Sequence, residues 1–268
     1  MKDLYTINEF SKISGIETST LRYWDSIGLF SPVKRDEYNN YRRYSLTQLF
    51  TVNFVTTMSD LDVPLKNIAE LREGRNPESL LRLLELKVKQ LDMELIKLRE
   101  QSSIIHVRQE LIRYGMRVDE NEIAVMKRDD MKMILWPRNE YSEGDTFIKP
   151  LSDFIHNAGD YGINLSYPVG GYWDDFESFA AGPDRPDHFV SIDPTGNHIR
   201  KAGDYLVGFA KGYYGVVEDL PDRMRAVIRE KELRISGPVY MIYLFEEISI
   251  DNSEEYLSQV IVSASRRR

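Results

Sequence analysis

"TLRYWDSIGLFSP", residues 20–32, decides how the first part of this chain is read. It sets Arg22, Tyr23 and Trp24 side by side, then closes with Gly28 and Pro32, residues that end helices. A helix buried all round has no use for Arg22, and a fully solvated one has no use for the rings. The stretch therefore reads as a helix with one face in a small core, closed by Leu21, Ile27, Leu29 and Phe30, and another face presented to a partner. Upstream, "TINEFSKISG" (6–15) opens on Thr6 with Glu9 three positions on, a capping box. Ile7, Phe10 and Ile13 form its apolar stripe and Gly15 its stop. Thr18 is the expected cap of the second helix. Helix, tight glycine-containing turn, helix is the helix-turn-helix pattern, whose second helix can enter a DNA major groove.

Working outward, "SPVKRDEYNNYRRYS" (31–45) is polar and turn-rich, and two further helices follow, split near Asp62–Pro64. From about Pro77 to Tyr114 one long helix is expected. Leu84, Val88, Leu91, Leu95, Leu98, Ser102, Ile105, Gln109 and Ile112 alternate at spacings of four and three, a heptad seam. At ~1.5 Å per residue such a helix is about 55 Å long, too long to bury its seam in a small domain, so a partner chain is the economical cover. Beyond Asp119 strands are expected at 131–136, 163–173, 205–214, 238–247 and 257–264, with helices at 147–159 and 220–232. Two halves, each strand, helix, then a strand opening Pro-Val (168–169, 238–239) and ending in paired acids, form an internal repeat with a cleft at its pseudo-twofold seam.

Composition sets limits. The net charge of −8 is unevenly spread: ten basic against ten acidic residues in 1–76, eight against six in 77–118, and 17 against 27 in 119–268. The acid belongs to the C-terminal half, while Lys34, Arg35, Arg42 and Arg43 cluster beside the opening stretch. No run approaches ~18 apolar residues, so no membrane span is expected, and "MKDLYTINEF" is not patterned as a signal peptide. The expected location is cytoplasmic. With no cysteine, disulfides and thiolate metal sites are excluded, and the four histidines (106, 156, 188, 198) are scattered. No metal and no cofactor is expected.

Arginine can pair bidentately with guanine or a phosphate, and aromatic hydroxyls reach the backbone. Arg22 and Tyr23 on the second helix, and Arg42 and Arg43 flanked by Tyr41 and Tyr44 on the following loop, suit such work. The order of residues here, "YTINEFSKISGIETSTLRYWDSIGL", then Pro32, "NYRRYSLTQL" and "LDVPLKNI", resembles the MerR-type transcription regulators. That resemblance implies a winged helix-turn-helix and a homodimer joined by an antiparallel coiled coil. It also implies double-stranded promoter DNA as partner, with an overlong spacer that the dimer distorts so that RNA polymerase can engage. By position it places Thr18, Thr20, Arg22, Tyr23, Trp24, Tyr41, Arg42 and Arg43 at the DNA. Metal-sensing members use cysteines that this chain lacks.

The last part, through "AGDYLVGFAKGYYG", "GPVYMIYL" and "EEYLSQVIV", resembles the GyrI-like domain of the drug-sensing branch, which implies a lipophilic cationic effector in an aromatic cleft. Tyr167, Tyr172, Trp173, Tyr213, Tyr240 and Phe245 are the candidate rings. Alternation along a strand sets Tyr172 and Trp173 on opposite faces, with Trp173 the favoured one. The cleft glutamate of that family falls on Gln259, so Asp174, Asp175, Glu246 or Glu247 would supply the charge, or neutral ligands are taken too. The expectation is thus an α+β multidomain chain: a winged helix-turn-helix DNA-binding domain (1–76), a dimerisation coiled-coil helix (77–118) and an α/β ligand-binding domain (119–268). It is expected to act as a transcription activator and not as an enzyme. Two alternatives stand beside it: a small-molecule hydrolase using Asp174 or Glu246, and an architectural DNA-binding dimer whose last domain binds a protein.

Overall fold

The structure is a computed structural model that describes residues 4–73, 76–142 and 147–266. Met1–Asp3, part of the start read above for a signal peptide, lie outside them. The chain divides into two compact units, Met1–Lys97 and Leu98–Arg268, and the division falls within one long helix.

The first unit holds β1 (Tyr5–Thr6), α1 (Ile7–Ser14), α2 (Thr18–Ser26), β2 (Lys34–Arg35), β3 (Arg42–Tyr44), α3 (Gln48–Asp60), α4 (Leu65–Glu73) and the start of α5 (Pro77–Gly115). The capping box forms: the Thr6 hydroxyl accepts from the Glu9 amide, and the Glu9 carboxylate accepts from the Thr6 amide at 2.9 Å. Gly15 ends α1 at φ 76°, a left-handed conformation that glycine adopts freely. The second cap differs from expectation. The Glu17 carbonyl accepts the first helical bond, from Leu21 at 3.0 Å, so Glu17 is the N-cap and Thr18 the first helical residue. Strands β2 and β3 form a hairpin extended by β1, in the order β1-β3-β2. Phe10, Phe30 and Tyr44 stack at the centre, with Phe10 and Tyr44 4.8 Å apart, surrounded by Leu21, Leu29, Val52, Val55 and Ile68. Ile27 sits past the last turn of α2 and stays largely exposed.

Helix α5 runs for 39 residues. Of its apolar seam, Val88, Leu91, Leu95, Leu98 and Ile105 are exposed.

The second unit adds β4 (Ala124–Arg128), β5 (Met131–Leu135), α6 (Ile148–Asn157), β6 (Val169–Trp173), α7 (Phe176–Ala181), β7 (His188–Ser191), β8 (His198–Arg200), β9 (Gly203–Lys211), α8 (Leu220–Glu230), β10 (Leu233–Phe245) and β11 (Leu257–Arg266). The eight strands form one sheet in the order β4-β9-β11-β10-β6-β7-β5-β8. Read outward from the β10–β6 contact, each half repeats one pattern: β10, β11, β9 on one side match β6, β7, β5 on the other. The two Pro-Val strands meet there antiparallel, Val239 opposite Trp173 and Met241 opposite Gly171. Of the stretch expected as a strand over 163–173, only Val169–Trp173 is one, because the chain turns just before it, the Tyr167 amide donating to the Asn164 carbonyl at 3.1 Å.

Strands β4 and β5 lie far apart in the sheet order, yet only Asp129 and Asp130 join them. A two-residue link demands that the sheet curl until its edges approach. Alternation then sorts the side chains. Trp173, Val239, Met241, Val260 and Val262 face outward, where Leu220 and Met224 of α8 cover them. Tyr240, Ile242, Leu257, Ile261, Tyr205, Val207 and Phe209 face inward, where Val107, Leu111 and Tyr114 of α5 pack.

Candidate nucleic-acid interface and ligand sites

On α2, Ser19, Arg22, Tyr23 and Ser26 are exposed. Their spacing of three, four and seven makes one stripe on a helix of 3.6 residues per turn. Leu21 and Trp24 point the other way. Trp24 corrects the sequence reading: it is 6% exposed and packs edge-on to Phe30 at 6.4 Å, so its ring belongs to the core. Its offset from Leu21 by three residues, and not from Arg22, puts it there. Thr18 and Thr20 are half-buried beside the stripe. The hairpin carries Tyr41 exposed, and Arg42 and Arg43 half-buried.

One carboxylate fixes the hairpin to the helix. Asp25 Oδ2 accepts from Arg35 at 2.6 Å and from Arg42 Nε at 2.7 Å, with its side chain 3% exposed. Burial pushes the Asp25 pKa up, but the hydrogen bonds from Arg42, Ser31 and Arg35 outweigh it, and the group ends below its ordinary value. A depressed folded-state pKa contributes stability that is present above the unfolded value, near 3.9, and lost as pH falls through the folded one. Amide exchange along α2, corrected for intrinsic rates, should therefore lose protection below about pH 4. Asp25→Asn should lower protection already at pH 6, by about 1–3 kcal/mol, and flatten the acid limb. Equal protection in both proteins at pH 6 would dismiss the clamp. Tyr38, fully exposed on the same hairpin, was not singled out from sequence. The signal available was its place in "DEYNNY", a turn where a ring has no core to join.

The candidate rings of the second unit fall in three places. Tyr167 lines a cavity of about 360 Å³ with Leu151, Phe154, Met241 and Tyr243, on the outer face over the β6–β10 seam. Trp173 corrects expectation. It is 1% exposed within the outer core, its Nε1 donates to the Gly182 carbonyl at 3.0 Å, and it does not line that cavity. Gly171 permits this, since a Cβ there would meet the indole at 2.5 Å. Tyr213 is exposed against Tyr214, and Phe245 is half-buried beside Gly115. Tyr172, Tyr240 and Gln259 instead face the inside of the curl.

Carboxylates rim the outer cavity. Glu246 takes a 2.5 Å hydrogen bond from Arg108 of α5, whose Nε and Nη2 also donate to the Ser166 carbonyl at 3.1 and 2.9 Å. Glu247 accepts from the Tyr214 hydroxyl and has no basic partner among the described residues. Burial, then that hydrogen bond, raises the Tyr214 pKa and keeps the phenol a donor. The other two acids have structural duties. Asp174 pairs with Arg138 at 2.6 Å, and Asp175 caps α7 by accepting from the Ser178 amide at 2.7 Å.

Inside the curl, Tyr172 meets Tyr240 edge-on at 5.3 Å, and His198 Nε2 lies 3.0 Å from the Tyr240 hydroxyl. Arg128 donates to Tyr114 and, at 3.3 Å, to Gln259 Oε1. Arg200 is 3% exposed and lies 5.3 Å over the Tyr205 ring. Its Nη2 donates to the Asp129 carbonyl at 2.9 Å, while its Nε and Nη1 have no acceptor among the described residues. Burial lowers its pKa, Tyr205 works against that, and Arg128 adds to it. Among the described residues no group of three or more acids or histidines could hold a metal ion.

Taken together, a winged helix-turn-helix and a separate α/β unit with a ligand-sized cavity define a class of two-part DNA-binding regulator. Residues 5–74 match the family model described as MerR HTH family regulatory protein. Over 273 residues the chain is 26% identical to the multidrug-efflux transporter 2 regulator of Bacillus subtilis (strain 168), covering 98% of this chain and 97% of that one. It is 24% identical over 174 residues to the multidrug-efflux transporter 1 regulator of the same organism, covering 61% and 62%. Among solved structures, the EcmrR–DNA complex within EcmrR-RPo aligns over 98% of this chain and 100% of that one, at 17% identity and a TM-score of 0.39. Residues 5–74 thus carry a MerR-type helix-turn-helix domain, and over nearly its whole length the chain is similar to a multidrug-efflux transporter regulator. Among the described residues no helix is long and apolar enough to cross a membrane.

Proposed function

We propose that the chain is a dimeric, cytoplasmic transcription activator that binds promoter DNA through α2 and the β2–β3 hairpin, and senses amphipathic cations in the outer cavity of its second unit. The observation that carries the ligand reading is Glu247 at the rim of an aromatic, largely apolar cavity of about 360 Å³. That volume lies in the range of drug-sized sites. Tyr167, Tyr214 and Tyr243 supply faces for a cation, worth ~0.5–2 kcal/mol each depending on desolvation. The exposed seam of α5 supports the dimer, and the stripe of Arg22 and Tyr23 supports groove binding. The relatives named as multidrug-efflux regulators support the effector class.

Coupling follows from Arg108. It belongs to α5 yet sits on the cavity rim, holding Glu246. A bound cation competes with Arg108 for that carboxylate, and so changes what α5 is tied to. In this reading the dimer then distorts an overlong promoter spacer and RNA polymerase engages it. A hydrolytic role is disfavoured, because Asp174 and Glu246 each face an arginine, which stabilises the ionised carboxylate and removes it from general-acid work.

Calorimetry with tetraphenylphosphonium and neutral triphenylphosphine oxide tests the site. The cation should bind at least about tenfold tighter, and Glu247→Gln should reduce that preference while leaving the melting temperature unchanged. Equal affinity for the two probes would reject the cation reading. Transcription from the chain's own promoter in a purified system, with and without the cation, tests activation separately.

A further inference from the structure

The outer cavity holds one acid beyond those of its rim. Among the described residues its charged lining is Arg108, Asp184, Glu246 and Glu247, one base against three acids. Arg108 and Glu246 offset one another at 2.5 Å. That leaves Glu247 at the rim and Asp184 in the loop after α7. Neither has a basic partner among the described residues, and Arg185, next to Asp184 in the chain, lies over the Tyr141 ring at 6.0 Å instead. The two carboxylates stand at the two ends of one residue, Tyr214. Its hydroxyl donates to Glu247. At its backbone end, Gly215 lies so close to Asp184 that a Cβ there would meet the Asp184 Cβ at 3.1 Å. The Tyr214 ring, edge-on to Tyr243 at 4.8 Å, occupies the interval, and both rings line the cavity. Asp184 and Glu247 are thus held apart along one aromatic wall, with the length of a tyrosine side chain between them.

We propose that this cavity is built for a dication, an amphiphile with two cationic heads joined by an apolar spacer, one head at Glu247 and the other at Asp184. The inference rests on the cation reading above and names the ligand class within it. A single cationic head seated at Glu247 leaves Asp184 facing only the apolar body of the ligand. Asp184 is already half-buried, and a ligand that drives out its remaining water strands an unpaired carboxylate, which is unfavourable. A second head turns that penalty into an attraction. The spacer lies along Tyr214 and Tyr243 and against Leu151, Phe154 and Met241, apolar surface that a metal ion would leave unused. Arg108 sets the number of charges: by occupying Glu246 it limits the cavity to two free acids.

Calorimetry on the full-length protein compares hexamethonium, which carries a trimethylammonium head at each end of a hexyl chain, with hexyltrimethylammonium, the same chain with a single head. Hexamethonium should bind at least about tenfold tighter, the gain of one partly desolvated charge pair. Asp184→Asn should lose most of that difference while binding hexyltrimethylammonium and tetraphenylphosphonium as the parent does and keeping its melting temperature, and Asp184→Glu should retain the difference. Glu230→Gln, the same change of charge at the exposed end of α8, should alter neither affinity. The proposal is overturned if hexamethonium binds no tighter than hexyltrimethylammonium, if Asp184→Asn keeps the full difference, or if Glu230→Gln loses as much of it as Asp184→Asn does. Tetraphenylphosphonium and triphenylphosphine oxide, titrated alongside, separate this inference from the reading it rests on. A preference for the phosphonium without one for hexamethonium removes only the second head's seat at Asp184, whereas no preference in either pair removes the cation reading as well.

Discussion

Trp24→Ala is expected to cost the DNA-binding unit about 3–5 kcal/mol, whereas Arg22→Ala, two residues away, is expected to leave stability alone and weaken promoter binding by at least about 30-fold. The two side chains leave opposite faces of α2. Trp24 fills the space between Phe30 and the helices around it, and its loss opens a cavity in a core with few layers to collapse into. Domains of this size hold only about 5–15 kcal/mol in total, so the substitution removes a large share. Arg22 is exposed and has no intramolecular role in the core. If it contacts a base or phosphate, its loss costs about 1–3 kcal/mol per half-site. A symmetric dimer doubles that, giving roughly 30-fold to 10⁴-fold weaker binding. Thermal melts by circular dichroism and fluorescence anisotropy on promoter DNA, at one stated salt concentration, separate the two effects. A stable Trp24→Ala protein that had lost DNA binding would return the tryptophan to the interface, and an Arg22→Ala protein that bound normally would remove α2 from the groove.

The contrast between those two residues also marks how far sequence reading carries. Local signals were read directly: the Thr6–Glu9 box, Gly15, and the strand–helix–strand repeat whose Pro-Val strands pair at the centre of the sheet. These depend on residues close in the chain, or on a period. Strands β4, β7 and β8 were missed because they are short and lack alternation, and they earn their place only by pairing with longer neighbours. The candidate rings were legible as rings but not as a site. Alternation separated Tyr172 from Trp173, yet which face carried a cavity depended on the curl of the whole sheet. Arg108 and Arg200 were not legible at all. Arg108 acts on Glu246, 138 positions downstream, and Arg200 is notable only for what fails to surround it.

Arg108→Met is the substitution that most directly tests how the cavity and α5 communicate. In the structure Arg108 is an internal cation already seated on one of the cavity's carboxylates, and it also holds the Ser166 carbonyl. Its removal frees Glu246 with little change of volume. A cationic ligand then meets two available carboxylates instead of one, and no longer has to displace a guanidinium. Tetraphenylphosphonium should therefore bind Arg108→Met more tightly, by a factor of about 5–150 if the competition falls in the usual range of coupling energies. Transcription should nonetheless stop responding to it, because the contact whose exchange carries the signal is gone. Glu246→Gln breaks the same pair from the other side and should weaken cation binding while also losing the response, since it removes an attraction instead of a competitor. Tighter binding with a lost response separates coupling from recognition, a split that a merely structural ion pair does not produce. If Arg108→Met left both affinity and response unchanged, Arg108 would be a surface contact, worth no more than about 1 kcal/mol, and the signal would have to leave the cavity by another route.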